Sequence, residues 1–498
     1  MIQKMSQKDT KQYFFMLLGV YLVAYTALFR ADFTYADDVR RKAFGYHGWL
    51  DFSRYINTFV SSILHADWYL SDISPLPQLI AVIILSLSGL MLICLFFDVS
   101  TKASLLEKIL RVGAVAQLGL CPYFLGCISY KYDSPYMAFA IGISILPFMF
   151  SDSYGKKSHW RYEIISFICI IAMCSSYQSA SGVYPMVALF YVAHLHTHKG
   201  KSIIDSLLFL LRSAVVYIAA LLFFAVVLMR HENTELSHLG AGLIFTRYST
   251  WFSCVLSDYK NSWLLLIILL IVLALVVQVF YSRLQLMYRL FIWLLVLLLA
   301  ALLIFGALVV LQRDNYYPRS MIGIGVYLSL VSCIVISDRF HIIWLDRARY
   351  IYCLIPLALT WCFLIYSLTY GNCLAEQKRY TDMRLQLLLQ DINEVECTMN
   401  GEINKIAVNG TLGLSPIVQR VAGDNSLLHE LMVYNIPGEA PEGTIWFIEY
   451  FGLSRYELVS WDDHADNSQL VARRLFYDLY RSDDVLMIEW KKEAPAQR

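Results

Sequence analysis

Seven consecutive residues, Tyr35-Ala36-Asp37-Asp38-Val39-Arg40-Arg41, set two carboxylates beside two guanidinium groups just past the first long apolar run. Carboxylates are expensive to keep at the edge of a bilayer, so a pair held there invites a chemical reading. One acid can take the proton from a sugar hydroxyl as that hydroxyl attacks. Such general-base help is worth about two to four orders of magnitude in rate. Arginine fits the other half of the reaction, because its planar fork binds a phosphate through two parallel hydrogen bonds. The competing reading is a solvated surface in which the acids pair locally with Arg40 and Arg41, and these residues alone leave both readings open.

The stretch goes on through Gly45-Tyr46-His47-Gly48-Trp49, Arg54, an amphipathic run at 55–64 and His65-Ala66-Asp67-Trp68, and closes with Ser71-Asp72-Ile73-Ser74-Pro75-Leu76-Pro77. Trp49, Trp68 and Tyr69 suit the headgroup level, where an aromatic body is apolar and its tip wet. Two amphipathic helices lying along the surface would wall a cleft open to both lipid and water. Further cations follow. Arg313 and Arg319 occupy a short loop between apolar segments, and Arg319 would open a helix whose N-terminus attracts anions. Marking the membrane boundary is the rival role for both. Lys131 stands near Asp133, where a local ion pair is an equal alternative, and Gln178, Ser179 and Ser181 could meet sugar hydroxyls or simply pack helices. Glu232, Glu235 and His238 could line a cleft. His194-Leu195-His196-Thr197-His198 has no carboxylate or cysteine partner, so neither a metal nor a cofactor is expected.

What must position these groups is a membrane scaffold. Apolar residues make up 58% of the chain and charged ones 16%, against roughly 25% in soluble domains. Runs able to cross about 30 Å of hydrocarbon recur. We place eleven segments at about 12–29, 78–97, 112–130, 136–150, 163–177, 184–197, 206–229, 263–281, 289–311, 320–337 and 350–371. The first reads as an uncleaved signal anchor. With the N-terminus cytoplasmic, every short loop on that side is basic, as the positive-inside rule asks. The first loop (30–77), the loop at 230–262 and everything after residue 371 then face outward. Residues 1–371 form the catalytic membrane domain, and 372–498 a small α/β domain with a helix at 373–394 bearing Leu385, Leu387, Leu388 and Leu389. Strands are expected at 405–408, 444–450 and 485–490, and a second helix at 469–480. The eleven cysteines lack paired spacing, and Cys373 and Cys397 are too far apart along one helix for a disulfide. No basic block or nucleic-acid motif occurs, so no nucleic-acid partner is expected.

On Tyr35, Asp37-Asp38, Arg40, Gly45, Trp49, Arg54 and Asp72-Ile73-Ser74-Pro75-Leu76-Pro77, and more weakly on Pro318-Arg319 and the 370–380 region, the chain resembles the bacterial type II glucosyltransferases. The best-known members of that family are the phage-borne, serotype-converting O-antigen glucosyltransferases. The resemblance implies a polytopic α-helical fold of the GT-C class in the bacterial inner membrane, working on the periplasmic side. Its donor would be a polyprenyl-phosphate sugar, usually undecaprenyl-phosphate glucose. Its acceptor would be a lipid-linked O-antigen repeat unit, with inversion at the anomeric centre. The base would be Asp37 or Asp38, and we favour Asp37, with Asp38 orienting. Arg319, Arg313, Lys131 and Arg54 become candidates for the donor phosphate. Tyr35, Arg40, Arg41, Trp49, Asp72 and Gln178 would line the substrate cleft. One departure is Ser53 before Arg54, where the family pattern leads us to expect glycine. Transfer of another sugar, or to another envelope glycan, is the nearest rival. A flippase or transporter is a more distant one, since ionisable residues crowd at one surface instead of lying mid-segment.

Overall fold

A computed structural model describes residues 6–98, 103–153, 160–230, 241–259, 263–281, 286–310, 316–336, 350–398, 403–423, 425–433 and 452–491. The chain packs into two compact units. One holds residues 1–26, 48–64 and 73–368, and the other residues 27–47, 65–72 and 369–498. The first loop, expected as a single piece of the membrane domain, is therefore divided between them.

Among the described residues seven helices are long and apolar enough to cross a membrane, or eight if one bent pair makes a single span. Eleven segments were expected, and the shortfall has local causes. Pro122 breaks the run at 112–130 into α5 (Leu105–Leu120) and α6 (Pro122–Ile128), bent by 58°. Proline lacks the N–H that would continue the ladder, and its ring clashes with the preceding turn. Helices α8 (Trp160–Cys174) and α9 (Val183–Thr197) have 15 residues each, about 22 Å at 1.5 Å per residue, and fall short of the hydrocarbon thickness. Other helices of this unit are α1 (Gln7–Ala31, whose last five residues belong to the second unit), α4 (Leu76–Phe96), α7 (Ser134–Ile145), α10 (Ile203–Phe223), α11 (Ala241–Asp258), α12 (Leu264–Tyr281), α13 (Leu286–Leu303) and α14 (Gly323–Ile336). The unexpected one is α11, which occupies part of the loop at 230–262.

This unit is held by close backbone approach and by buried polar ties. A Cβ on Gly182 would lie 2.2 Å from the carbonyl oxygen of Leu303, and one on Gly323 2.2 Å from that of Ile304, so only glycine lets these segments meet. Gln117 on α5 donates to the Pro356 carbonyl at 3.0 Å and accepts from Ser332 at 2.9 Å. Such ties matter because an unmet polar group in this setting finds no water.

Helix α3 (Tyr55–Leu64) is amphipathic as expected, but inverted. It buries Asn57 and Ser61 and exposes Phe59 (69%) and Ile63 (65%). Asn57 donates to the Ser176 carbonyl at 3.2 Å. Its apolar face is the exposed one.

The second unit takes in α2 (Asp38–Phe44) and the later part of α15 (Leu354–Thr398). The segments at 350–371 and 373–394, expected as separate helices, are thus one. Gly371 does not stop it but serves contact, since a Cβ there would lie 2.4 Å from the backbone nitrogen of Leu28. Two short helices follow, α16 (Pro416–Ala422) and α17 (Ser426–Leu431). The five-stranded sheet comprises β1 (Lys405–Asn409), β2 (Glu457–Val459), β3 (Gln469–Arg473), β4 (Tyr477–Ser482) and β5 (Val485–Trp490), in the order β2-β1-β5-β4-β3. Strand β1 runs parallel to both neighbours, while β3, β4 and β5 form antiparallel pairs.

The helix expected at 469–480 is instead the β3–β4 hairpin. Tyr477 and Leu479 are buried alternately, a period of two that a helix cannot satisfy. One face of the sheet packs Ile406, Leu479, Leu486 and Ile488 against Leu385, Leu388 and Ile392 of α15. Leu387, expected on that face, is instead 41% exposed. The expected strand at 444–450 lies outside the described residues. None of the eleven cysteines forms a disulfide among the described residues.

Candidate active-site residues

In the second unit, Val39 joins the apolar cluster formed by the sheet and α15, and so fixes the first turn of α2. That turn carries the acids. Asp37 occupies the position just before the helix and is half-buried, whereas Asp38 is fully buried. The Asp38 carboxylate faces the buried guanidinium of Arg41 one turn on, at 4.0 Å. Opposite charges three residues apart on a helix meet on one face, and burial keeps water from screening them. The local-pairing reading therefore describes Asp38, and Asp37 is the more accessible acid. Ala36, just before them, has φ +43°, a conformation that L residues seldom adopt. Such strain clusters at functional sites.

The rest of this shell is tied down. Tyr35 donates to the Leu431 carbonyl at 3.0 Å. Arg40 is half-buried on α2. Lys42 pairs with Asp72 at 3.4 Å. His65 is buried nearby in the same unit, and burial holds its imidazole below the ordinary histidine range. Trp68 and Tyr69 are exposed at 74% and 73%.

In the first unit a different group of predicted residues meets. The Arg54 guanidinium lies over the rings of Phe52 (5.3 Å) and Tyr177 (5.1 Å), and its Nε donates to Gln178 at 3.4 Å. Gln178 in turn donates to the Phe52 carbonyl at 2.9 Å. The Tyr177 hydroxyl donates to the carbonyl of Arg319 at 2.8 Å, and the Arg319 guanidinium lies over Tyr130 (5.3 Å) and Tyr317 (5.4 Å). Aromatic faces attract a cation while leaving its N–H edges available. Arg54, Gln178 and Arg319 are thus linked through Tyr177. Arg319 sits in a 3₁₀ turn, Pro318–Met321, and does not open α14.

Ser53 has φ +59°, where glycine is the unstrained choice. The departure from the family pattern therefore falls on a position with a conformational demand. Serine adds a tie that glycine lacks, since its hydroxyl accepts from the Arg230 backbone N–H at 2.8 Å.

Three expectations take a different form. Trp49 is buried and donates through Nε1 to Asp133, so its ring is covered by protein. Lys131 is 3% exposed. Ser181 packs helices, accepting from the Ala307 backbone N–H at 2.8 Å. Arg313, Glu232, Glu235 and His238 lie outside the described residues. Among the described residues no group of His, Cys, Asp or Glu could hold a metal. Sequence reasoning passed over Asp258, which is buried and accepts from the Tyr123 hydroxyl at 2.7 Å. Its signal was an acid at the end of an aromatic-rich stretch, and a buried acid in a membrane protein is a functional candidate.

A protein of Salmonella phage P22, described as an uncharacterized 55.3 kDa protein in the gtrB 5' region, is 29% identical over 181 residues. The match covers 36% of this chain and 34% of the relative, so the chain spans about a third of that protein's length. No solved structure matches. The family described as Glucosyl transferase GtrII matches residues 26–334, more than half of the chain and including every candidate named above from Asp37 to Arg319. The chain belongs to the GtrII glucosyltransferase family.

Proposed function

We propose that this membrane glucosyltransferase moves glucose from undecaprenyl-phosphate glucose to a lipid-linked O-antigen repeat unit on the periplasmic side of the bacterial inner membrane. The observation that carries the reading, within the family match, is the unequal acid pair: Asp38 buried against Arg41, Asp37 accessible beside it. The basic short loops support a cytoplasmic N-terminus and an outward second unit.

In the proposed reaction an acceptor hydroxyl oxygen attacks C1 of the donor glucose. The bond from C1 to the phosphate oxygen breaks, and its electron pair leaves with undecaprenyl phosphate. The hydroxyl proton passes to Asp37. A single displacement of this kind inverts the anomeric centre. Asp38 and Arg41 orient the loop. The departing phosphate needs a cation, and Arg319 and Arg54 of the first unit are the candidates for it by residue type. Arginine is suited to that role because it stays charged and binds phosphate through two hydrogen bonds. Lys131, being buried, is the weaker candidate.

Lipopolysaccharide mass analysis from cells with and without the protein tests the whole reading. The expected result is a gain of one hexose per repeat unit. A gain of another mass, or on another glycan, supports the rival reading of a different sugar or acceptor. Asp37→Asn, with expression confirmed, is expected to lower transfer about 10²- to 10⁴-fold. Full transfer by both Asp37→Asn and Asp38→Asn overturns the base assignment.

A further inference from the structure

Three elements of the first unit, the 3₁₀ turn Leu146–Ser153, α9 and the start of α10, border a small polar cavity of about 80 Å³. Ser151, Tyr191, Lys201, Asp205, Ser206 and Phe209 line it. Helix α9 begins just after Gln178 and reaches the cavity with its last turns. The cavity therefore stands at the other end of that helix from the group formed by Arg54, Gln178 and Arg319.

The polar atoms of the lining are not all used. Ser151 and Tyr191 share a hydroxyl–hydroxyl bond at 2.7 Å. Asp205 accepts from the Ser202 hydroxyl at 2.8 Å, and a carboxylate has lone pairs for further donors. The Ser206 side chain is buried, and its hydroxyl meets no hydrogen-bond partner among the described residues. A serine on a helix can turn back to the carbonyl four residues before, and this one does not. Such a hydroxyl is unfavourable unless something received by the cavity meets it.

Lys201 and Asp205 are exposed at the rim, one cation and one carboxylate. Beside them α10 turns an apolar face outward, with Ile204, Leu208, Leu211 and Val215 exposed at helical spacing. A zwitterionic headgroup on acyl chains complements this surface. Lysine suits its phosphate, and the carboxylate and hydroxyl oxygens suit a group with several N–H donors. At about 12 Å³ per water, the cavity has room for about six such atoms. The oxygen, two carbons and nitrogen of an ethanolamine ester fit that space, whereas choline is larger and has no N–H to donate. A purely anionic headgroup would meet the Asp205 carboxylate. We infer that the cavity binds the headgroup of phosphatidylethanolamine, with its ammonium against Asp205 and Ser206, its phosphate at Lys201 and its acyl chains along α10.

The test titrates the full-length protein, delipidated in detergent, with phosphatidylethanolamine, phosphatidylcholine or phosphatidylglycerol of the same acyl chains, and counts bound lipid by native mass spectrometry. One equivalent of phosphatidylethanolamine is expected to bind about tenfold more tightly than either of the others. Ser206→Ala should remove that preference, and so should Lys201→Gln combined with Asp205→Asn. In lipid-free protein Ser206→Ala should leave the melting temperature unchanged or raise it, because it deletes an unmet hydroxyl. A merely structural serine would lower it. The charge variant, at exposed positions, carries the test should Ser206→Ala fail to fold. Equal affinity for the three lipids overturns the inference, as does an undiminished preference in either folded variant. Soluble glycerophosphoethanolamine should compete poorly, and full competition by it would overturn the assignment to a lipid.

Discussion

The two units obey opposite rules about what they hide. In the second, the sheet buries Leu479, Leu486 and Ile488 and sends charges outward, as a chain in water must. The first exposes Leu265 at 77% and Val226 at 80%, and buries Gln117, Asp133, Ser61 and Asn57. The difference shows that the solvent changes along the chain, and that a residue's exposure has meaning only once its solvent is known. Helix α3 makes the point within ten residues: its hydrogen-bonding face is inside and its apolar face outside.

The contrast can be broken with matched truncations. Leu486→Ala removes a fully buried side chain from the sheet and should cost about 2–5 kcal/mol, read from urea unfolding of the purified protein. Leu265→Ala removes the same atoms from a surface that lipid covers, and should change stability by less than about 0.5 kcal/mol. Equal losses would mean that Leu265 is covered by protein and not by lipid.

Matched charges sharpen it. Phe59 and Leu475 are exposed to similar degrees, 69% and 79%, one in each unit. Phe59→Asp should cost up to about 3 kcal/mol, the price of a carboxylate placed in hydrocarbon, and less if α3 lies at the interface. Leu475→Asp should be close to neutral. Thermal stability in nanodiscs compares the two directly, and a neutral Phe59→Asp would place α3 in water.

A smaller effect is expected at Ser53. Replacing it by glycine relieves the positive φ but removes the hydroxyl that accepts from Arg230. The two changes oppose each other at about 1 kcal/mol each, so the net shift in stability should be under about 1 kcal/mol. A loss above about 2 kcal/mol would show that the Arg230 tie dominates.

How much of this could be read in advance depended on range. The long apolar helices follow from local hydropathy, and the acids from their adjacency. The pairing of Asp38 with Arg41 is also local, a single helical turn. What could not be read joins residues far apart: Trp49 with Asp133, Arg54 with Gln178, Tyr177 with Arg319. No periodicity announces such contacts, because each depends on how whole helices pack. The hairpin at 469–482 failed for the same reason. Its leucines, alanine and arginines favour a helix, and the strands exist because β4 pairs with β5. Length misled too, since apolar runs such as those forming α8 and α9 fold as helices too short to span alone.

The smallest predicted effect lies at His65. It sits in the second unit with His47, Asp72 and the backbone of Ser71, and burial, aided by the charge of His47, lowers its pKa. Asp72 and the Ser71 backbone pull the other way and are outweighed. The folded protein therefore resists protonating a group that the unfolded chain protonates near pH 6.5. Between those two values the unfolded state binds more protons, so stability rises with pH. The contribution is fully present above about pH 6.5 and is lost as pH falls through the lowered folded value. Thermal melts from pH 5 to 8 should show this loss in the wild type and a flatter profile in His65→Gln. Identical profiles would mean that the imidazole is solvated, and that this corner of the unit follows the rule of its exposed neighbours Trp68 and Tyr69 instead of that of the buried sheet.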